Sequence, residues 1–166
     1  MKKIAFSTIV TICLSTHVFA EELLNGFSLS AAQSTQNGTN NDSYGISGLA
    51  SIRPNAYYAT EFQIGLLGKT GQFDRSILID GAVTGLLPLG KSGFNLFIKG
   101  GGAIIYSFEP NNLVYVLSPT YGAGIEYKGK HKAIRLGYQH YDVGNISLSH
   151  PVSTHLIGIS LLSIVQ

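Results

Sequence analysis

The chain has 166 residues and a formal net charge of +2 at pH 7. Only 12% of its residues are charged, about half of the ~25% typical of soluble domains, so the chain is too apolar for an ordinary water-soluble domain of its size. When Lys2 and Lys3 of the N-terminal segment are set aside, the remaining nine of its 11 basic residues balance nine acidic residues. This balance excludes a strongly basic surface for nucleic acid.

Residues 1–20 are predicted to be a secretory signal peptide. A basic start precedes a mostly apolar run over residues 4–14, and Ala20 provides the small residue expected before a cleavage site. The apolar run is too short for a membrane-spanning helix. The single cysteine, Cys13, lies within this leader, so residues 21–166 are expected to form no disulfide.

Residues 21–166 are predicted to form one domain of eight β-strands. Apolar residues alternate with polar or small ones, and clusters of Gly, Pro, Asn and Asp interrupt the alternation. The predicted strands are 23–33, 43–53, 57–67, 75–87, 93–106, 116–127, 132–142 and 153–165. Each provides the ~9–11 residues of a tilted membrane strand, and no run after the leader approaches the ~18 apolar residues of a membrane helix. The predicted fold is all-β, a transmembrane eight-stranded antiparallel up-and-down β-barrel.

The predicted connections alternate between longer and shorter segments, as the two ends of an up-and-down barrel require. The longer ones are residues 34–42, 68–74, 107–115 and 143–152, and the shorter ones are 54–56, 88–92 and 128–131. With the N-terminus on the periplasmic side, the longer connections face outward.

Tyrosines concentrate near the ends of the predicted strands, where a ring with a hydroxyl tip suits the interface between bilayer and water. They are Tyr44, Tyr57, Tyr58, Tyr106, Tyr115, Tyr127 and Tyr141. The alternative is that tyrosine is simply a good strand residue, and tryptophan, common in such belts, is absent from the chain.

The segment YGAGIEYKGKHKAIRLGYQHYDVG, residues 121–144, is predicted to be a hairpin with charges inside its strands. With an even-length turn, Glu126 lies opposite Ala133 and Gly124 lies opposite Arg135. Glu126 and Arg135 then share one face, diagonal to each other, while large apolar side chains occupy the other face.

Five charged residues within the predicted strands are expected to face the lumen, because an Arg or Lys facing lipid near the midplane costs ~2–4 kcal/mol. They are Glu61, Asp80, Lys99, Glu126 and Arg135. Two positive and three negative groups can pair there and hold the strands in register. An eight-stranded barrel encloses little more than its own side chains, so we expect a structural role and at most weak ion permeation.

The residues 121–144 resemble the sixth and seventh strands of the outer-membrane protein A (OmpA) family of small barrels. LLPLGKSGFNLFIKGGGAIIY is similar to that family's fourth-to-fifth hairpin, and TEFQIGLLGK to its third strand. The resemblance covers the barrel domain and implies that Glu61, Glu126 and Arg135 form the family's lumenal salt-bridge cluster, with Lys99 at another basic lumenal position.

The sequence departs from that family at three places. A basic residue expected near Gly85 is missing, the peptidoglycan-binding domain of longer members does not follow the last predicted strand, and the C-terminal aromatic that aids barrel assembly is replaced by Gln166. The family's gating network is therefore not expected as a whole.

Catalysis is not predicted. The serine-hydrolase set that the sequence offers is Ser147 or Ser149 with His150 and Asp142. Outer-membrane lipid A deacylases carry a His-X-Ser pair on one strand face, and the sequence contains no such pair. His150 and its neighbouring serines are interpreted as polar loop residues.

No metal or cofactor site is predicted either. The histidines show no ligand spacing with acidic residues or cysteines; those considered are His131, His140, His150 and His155. They are interpreted as surface or interface residues.

The sequence thus predicts a monomeric barrel in a bacterial outer membrane, with a structural, envelope-integrity or surface-interaction role. Its expected partners are outer-membrane lipid or lipopolysaccharide, and a host-surface ligand at the outward loops, but not nucleic acid. The alternatives are a deacylase-like enzyme acting on lipid A, an adhesin-type module, and a water-soluble lipocalin-like carrier.

Overall fold

The computed structural model describes residues 22–69, 75–109, 112–143 and 152–165, which form a closed barrel of eight antiparallel strands. The strands are β1 (Glu22–Gln36), β2 (Thr39–Arg53), β3 (Tyr58–Leu67), β4 (Arg75–Pro88), β5 (Phe94–Glu109), β6 (Asn112–Lys128), β7 (Lys132–Val143) and β8 (Val152–Val165). Each strand pairs with the next in sequence, and β8 pairs with β1. The predicted fold class and all eight predicted strands are confirmed, and the predicted signal peptide lies outside the described residues.

Side chains alternate between the lumen and the exterior along every strand, as the pleat of a β-strand requires. In β3 the alternation is unbroken from Tyr58 to Leu67: Glu61 and Gln63 are buried, and Phe62 and Ile64 are exposed. Within the described residues, no helix is long and apolar enough to cross a membrane.

Exposed aromatic rings lie near both ends of the barrel, as predicted for most of the tyrosines. Tyr115 and Tyr127 both point outward from β6, twelve positions apart, which spans ~28 Å across a bilayer for a strand tilted by ~45°. This is close to the ~25 Å apolar band of outer-membrane barrels. The prediction for Tyr141 is wrong, because its side chain is fully buried inside the barrel.

The predicted long connection at residues 34–42 is wrong. The strands β1 and β2 continue to a two-residue turn, where Asn37 and Gly38 both have positive φ angles, of 51° and 76°. Asn-Gly is the preferred pair for a type I′ hairpin turn. Side chains also pair across this extension, since Gln33 Nε2 donates to Asp42 Oδ1 at 3.0 Å.

The predicted connection at residues 107–115 is wrong for the same reason, because the strands extend through most of it. The backbones of β5 and β6 remain paired as far as Glu109 and Asn112. The polar residues of this segment are typical of a loop, but here they continue the strands beyond the apolar belt. Most of the other two predicted long connections, residues 70–74 and 144–151, lies outside the described residues.

The register of the β6–β7 hairpin differs from the predicted one by two residues, because its turn is centred one residue later in the chain. Its register places Glu126 directly opposite Arg135 and Lys128 opposite Ala133. The slip of two residues leaves every side chain on its predicted face, because the side-chain period of a strand is two. The two charged residues are therefore direct cross-strand neighbours rather than diagonal ones.

Buried apolar side chains form separate clusters towards the two ends of the lumen. We call the end with the connections 54–57, 89–93 and 129–131 the turn end, and the opposite end the loop end. The largest buried apolar cluster, which we call the loop-end plug, consists of Ala32, Leu67, Leu78, Ala103, Ile105, Val116, Tyr141, Val152 and Leu156. A smaller cluster around Leu24 and Leu162 lies towards the turn end.

Gly101→Ala is expected to lower the free energy of unfolding by about 1–3 kcal/mol, the usual range for overpacking. A Cβ atom at this position would lie 2.1 Å from the carbonyl oxygen of Gly81 on the paired strand. Equilibrium urea unfolding of the barrel in phospholipid vesicles would measure the change.

Gly100→Ala is the matched control, because no described heavy atom lies within 4 Å of its Cβ position. Equal stabilities of the two variants would contradict the close approach of β4 and β5 at Gly101.

Candidate functional site: the charged lumen

Arg135 lies between two carboxylates inside the barrel and bonds to both. Its Nη1 atom is 2.6 Å from Glu61 Oε1, and its Nε atom donates to Glu126 Oε2 at 2.8 Å. All three side chains are almost fully buried. Glu61 belongs to β3 and Arg135 to β7, so this ion pair crosses the lumen between strands that are not neighbours.

Arg53 is a fourth member of this group, and the sequence analysis did not identify it. Its guanidinium faces the Glu126 carboxylate side on, with Nη1 donating to Oε1 at 2.9 Å, and its side chain is 4% exposed. The lumenal direction of Arg53 could have been predicted from alternation, because Arg53 lies an even number of residues from the small inward-facing residues Ser47 and Ser51 of β2. Its position at the strand end, next to Pro54, made it resemble a turn residue rather than a lumenal one. We call Arg53, Glu61, Glu126 and Arg135 the arginine cluster.

An aromatic ring supports Arg135 from within the lumen. The guanidinium carbon of Arg135 lies 5.0 Å from the centre of the Phe97 ring, within the range of a cation–π contact. Gly124 and Gly137 make room for this ring, because Cβ atoms there would approach it to 2.8 and 2.9 Å. These two lumenal glycines therefore accommodate the Phe97 ring beside Arg135.

Asp80 organises a second polar group. Lys99 Nζ lies 3.5 Å from Asp80 Oδ2, and the Tyr141 hydroxyl donates to the same oxygen at 3.3 Å. Gln139 Nε2 donates to it as well and also to Thr120 Oγ1, at 3.1 Å. Asp80 side-chain exposure is only 1%. We call these residues the aspartate cluster.

The structure therefore places all five charged residues named from the sequence in the lumen and divides them between two clusters. Within the two clusters, Arg53 included, three cationic and three anionic side chains balance each other. A cavity of about 50 Å³ touches both clusters, with Glu61, Lys99 and Arg135 in its lining. A water molecule needs at least ~10–15 Å³, so the cavity has room for only a few.

The charges and the small cavity leave little space for a solute. The loop-end plug closes the lumen on one side of the aspartate cluster, and the arginine cluster spans it on the other. This arrangement favours mechanical cohesion of the strands over transport or binding within the lumen.

A second group of polar side chains lies outside the barrel, near the loop end. His140 and His155 are cross-strand partners on the outward faces of β7 and β8, with their Nδ1 atoms 3.1 Å apart. His140 Nε2 is 2.9 Å from Asp142 Oδ1, and the Tyr138 hydroxyl is 2.6 Å from His155 Nδ1. The pairing of these histidines does not follow from the sequence, because a cross-strand pair cannot be read from spacing along the chain.

The serine-hydrolase set considered and set aside from the sequence lies mostly outside the described residues. Ser147, Ser149 and His150 lie outside the described residues. Ser153 is close to His155, with Oγ 3.4 Å from Nε2, but the shorter contact of His155 is with the Tyr138 hydroxyl. Among the residues that the structure describes, no three His, Cys, Asp or Glu side chains are placed to hold a metal ion.

Comparison with solved structures identifies the architecture. Neisserial surface protein A superimposes with a TM-score of 0.72 at 9% sequence identity, covering 85% of this chain and 96% of that one. The attachment invasion locus protein Ail of Yersinia pestis gives 0.59 at 13% identity, over 85% and 97% of the two chains. The outer membrane protein OprG from Pseudomonas aeruginosa gives 0.52 at 10% identity, over 87% and 94%.

No protein-family profile and no curated protein matches the sequence. At identities this low the structural matches show the fold alone, which is that of small eight-stranded outer-membrane barrels. The resemblance to OmpA-like barrels expected from the sequence is confirmed at this level.

Arg135→Ala is expected to lower the free energy of unfolding by about 3–5 kcal/mol, because it leaves Glu61 buried without its cation. Lys128→Ala is the matched control. It also breaks an ion pair, Lys128 Nζ to Glu22 Oε1 at 2.6 Å, but a partly exposed one, for which a loss of at most about 1 kcal/mol is usual. Urea titration of both variants in vesicles would measure the difference, and losses of equal size would refute the energetic role of the arginine cluster.

Proposed function

We propose that this protein is a monomeric barrel of the bacterial outer membrane whose function is structural, contributing to envelope integrity, with a closed lumen. The observation that carries the proposal is the arginine cluster. It joins non-neighbouring strands through buried ion pairs in a barrel that has an apolar exterior.

The outer surface supports the location in a membrane. Large apolar side chains are exposed on every strand, as Leu29, Ile64, Ile98 and Leu136 illustrate. Water would make such a continuous belt an aggregation site, whereas hydrocarbon solvates it. The same belt argues against the water-soluble carrier considered from the sequence.

The filled lumen supports a structural role over a pore. Ion conduction requires a polar path, but the loop-end plug places apolar side chains across the lumen. Ions could pass only if this packing and the ion pairs of the arginine cluster both rearranged. Weak permeation is therefore the upper limit that we propose.

An adhesin-type role is the second candidate, because one structure of Ail is a complex with the heparin analogue sucrose octasulfate. A polyanion of that kind needs a cluster of cations. Lys69 and Arg75 are exposed at the loop end of this barrel, but so are Asp42 and Asp142. The two-residue Asn37-Gly38 turn also offers little loop surface for a host ligand, so this candidate has less support.

Enzymatic modification of lipid A has less support still. It needs a serine activated by a base. The described Ser153–His155 contact is long, at 3.4 Å, and the other ring nitrogen of His155 contacts the Tyr138 hydroxyl rather than an orienting carboxylate. We propose no catalytic residue.

Planar-bilayer recordings test the closed lumen. The wild-type protein is expected to give no steady conductance. Arg135→Ala should show conducting openings more often, because it loses the ion pair that crosses the lumen from Arg135 to Glu61. Lys128→Ala, which leaves the arginine cluster intact, should behave like the wild type.

A stable ohmic conductance in the wild type, unchanged by Arg135→Ala, would overturn the proposal. Partition of the protein into a fraction other than the outer membrane would overturn the proposed location.

A further inference from the structure

A groove runs along the outside of the barrel where β8 meets β1. The small side chain of Ala31 forms part of its floor. Ala31 pairs with Tyr44 of β2 on one side and with Ile157 of β8 on the other. Tyr138 is the next residue in this row, on β7. The small Ala31 side chain thus lies between two outward-pointing tyrosine rings, one on each side of the β1–β8 seam.

The groove is apolar towards the middle of the barrel. This part has a volume of about 550 Å³, within the ~300–1,000 Å³ of ligand-binding clefts. Its walls include Phe27, Leu29, Ile159 and Leu161. An extended hydrocarbon chain lying along the seam would contact this surface over its length.

The groove becomes polar one row nearer the loop end. The two parts share Ala31, Tyr44 and Ile157, and the polar part adds Gln33, Asp42 and His155. The change from apolar to polar lining occurs at the level of the tyrosine rings, where the bilayer interface is expected. The groove therefore extends from the hydrocarbon region into the head-group region.

The polar end is acidic. Asp42 lines it and is exposed, with its Oδ1 atom accepting a bond from Gln33. Asp142 lies nearby, bonded to His140, whose ring packs at a tilt against that of His155 with ring centres 4.5 Å apart. No lysine or arginine is present among the described residues that line either part of the groove. The charge favours a cationic group over a phosphate or carboxylate.

We propose that the groove binds one membrane lipid whose head group carries a primary ammonium, with an acyl chain between the two tyrosines and the ammonium at Asp42. Selectivity comes from the head group, because an acyl chain finds a similarly apolar environment elsewhere in the bilayer. The tyrosine and histidine side chains at the interface provide hydrogen bonds to the rest of the head group. This inference rests on the proposed membrane location.

Native mass spectrometry of the protein extracted from vesicles of equal parts phosphatidylethanolamine and phosphatidylglycerol tests the proposal. The wild type is expected to retain one phosphatidylethanolamine in preference to phosphatidylglycerol. Asp42→Asn should reduce this preference about tenfold, since it removes a charge-assisted hydrogen bond. Ala31→Trp should abolish retention of both lipids by filling the groove.

Ala50→Trp is the matched control, because Ala50 also faces outward on the described part of β2 and does not line the groove. Retention in this variant should equal that of the wild type. Equal retention of the two lipids by the wild type, or full retention by Ala31→Trp, would overturn the inference. Failure of the wild type to insert into the vesicles would instead overturn the proposed membrane location.

Discussion

The direction of the side chains and the closure of the barrel both follow from the absence of water in the surrounding hydrocarbon. A backbone amide or a charged side chain that faces hydrocarbon has no solvent partner. Closing β8 onto β1 leaves no sheet edge along the seam, and the alternation of each strand sends apolar side chains outward. The same alternation directs six charged side chains into the lumen, where they find partners in one another.

Charged side chains enclosed in the lumen need partners of opposite charge. The resulting ion pairs also hold the strands of the barrel together. Backbone hydrogen bonds join only neighbouring strands, whereas Arg53 reaches from β2 to Glu126 on β6, and Arg135 reaches from β7 to Glu61 on β3. These contacts cross the lumen and resist deformation of its cross-section. A lumen filled in this way leaves a cavity of only about 50 Å³ between the two clusters, which is the basis of the proposed structural role.

The sequence predicted the features that depend on the two-residue alternation of side chains along a strand. It did not predict the features that depend on which residues pair across neighbouring strands. The eight strands and the lumenal faces of the charged residues follow from alternation, which a slip of two residues in the pairing of Glu126 and Arg135 does not disturb. The Asn37-Gly38 turn was missed because polar residues beyond the bilayer also form strands. Arg53 was missed because its strand-end position resembles a turn. The contact of His140 with His155 depends on the register of β7 against β8, which spacing along the chain does not give.

The direction of the side chains is the central claim, and a nitroxide scan of β8 from Leu156 to Val165 tests it most directly. Cys13 is the only cysteine in the sequence, and it lies in the predicted leader, so single introduced cysteines can be labelled specifically. In vesicles, labels at Ile157, Ile159 and Leu161 should contact lipid-dissolved oxygen, and labels at the intervening residues should be shielded from it. Oxygen contact with the opposite parity, or contact without alternation, would contradict the account.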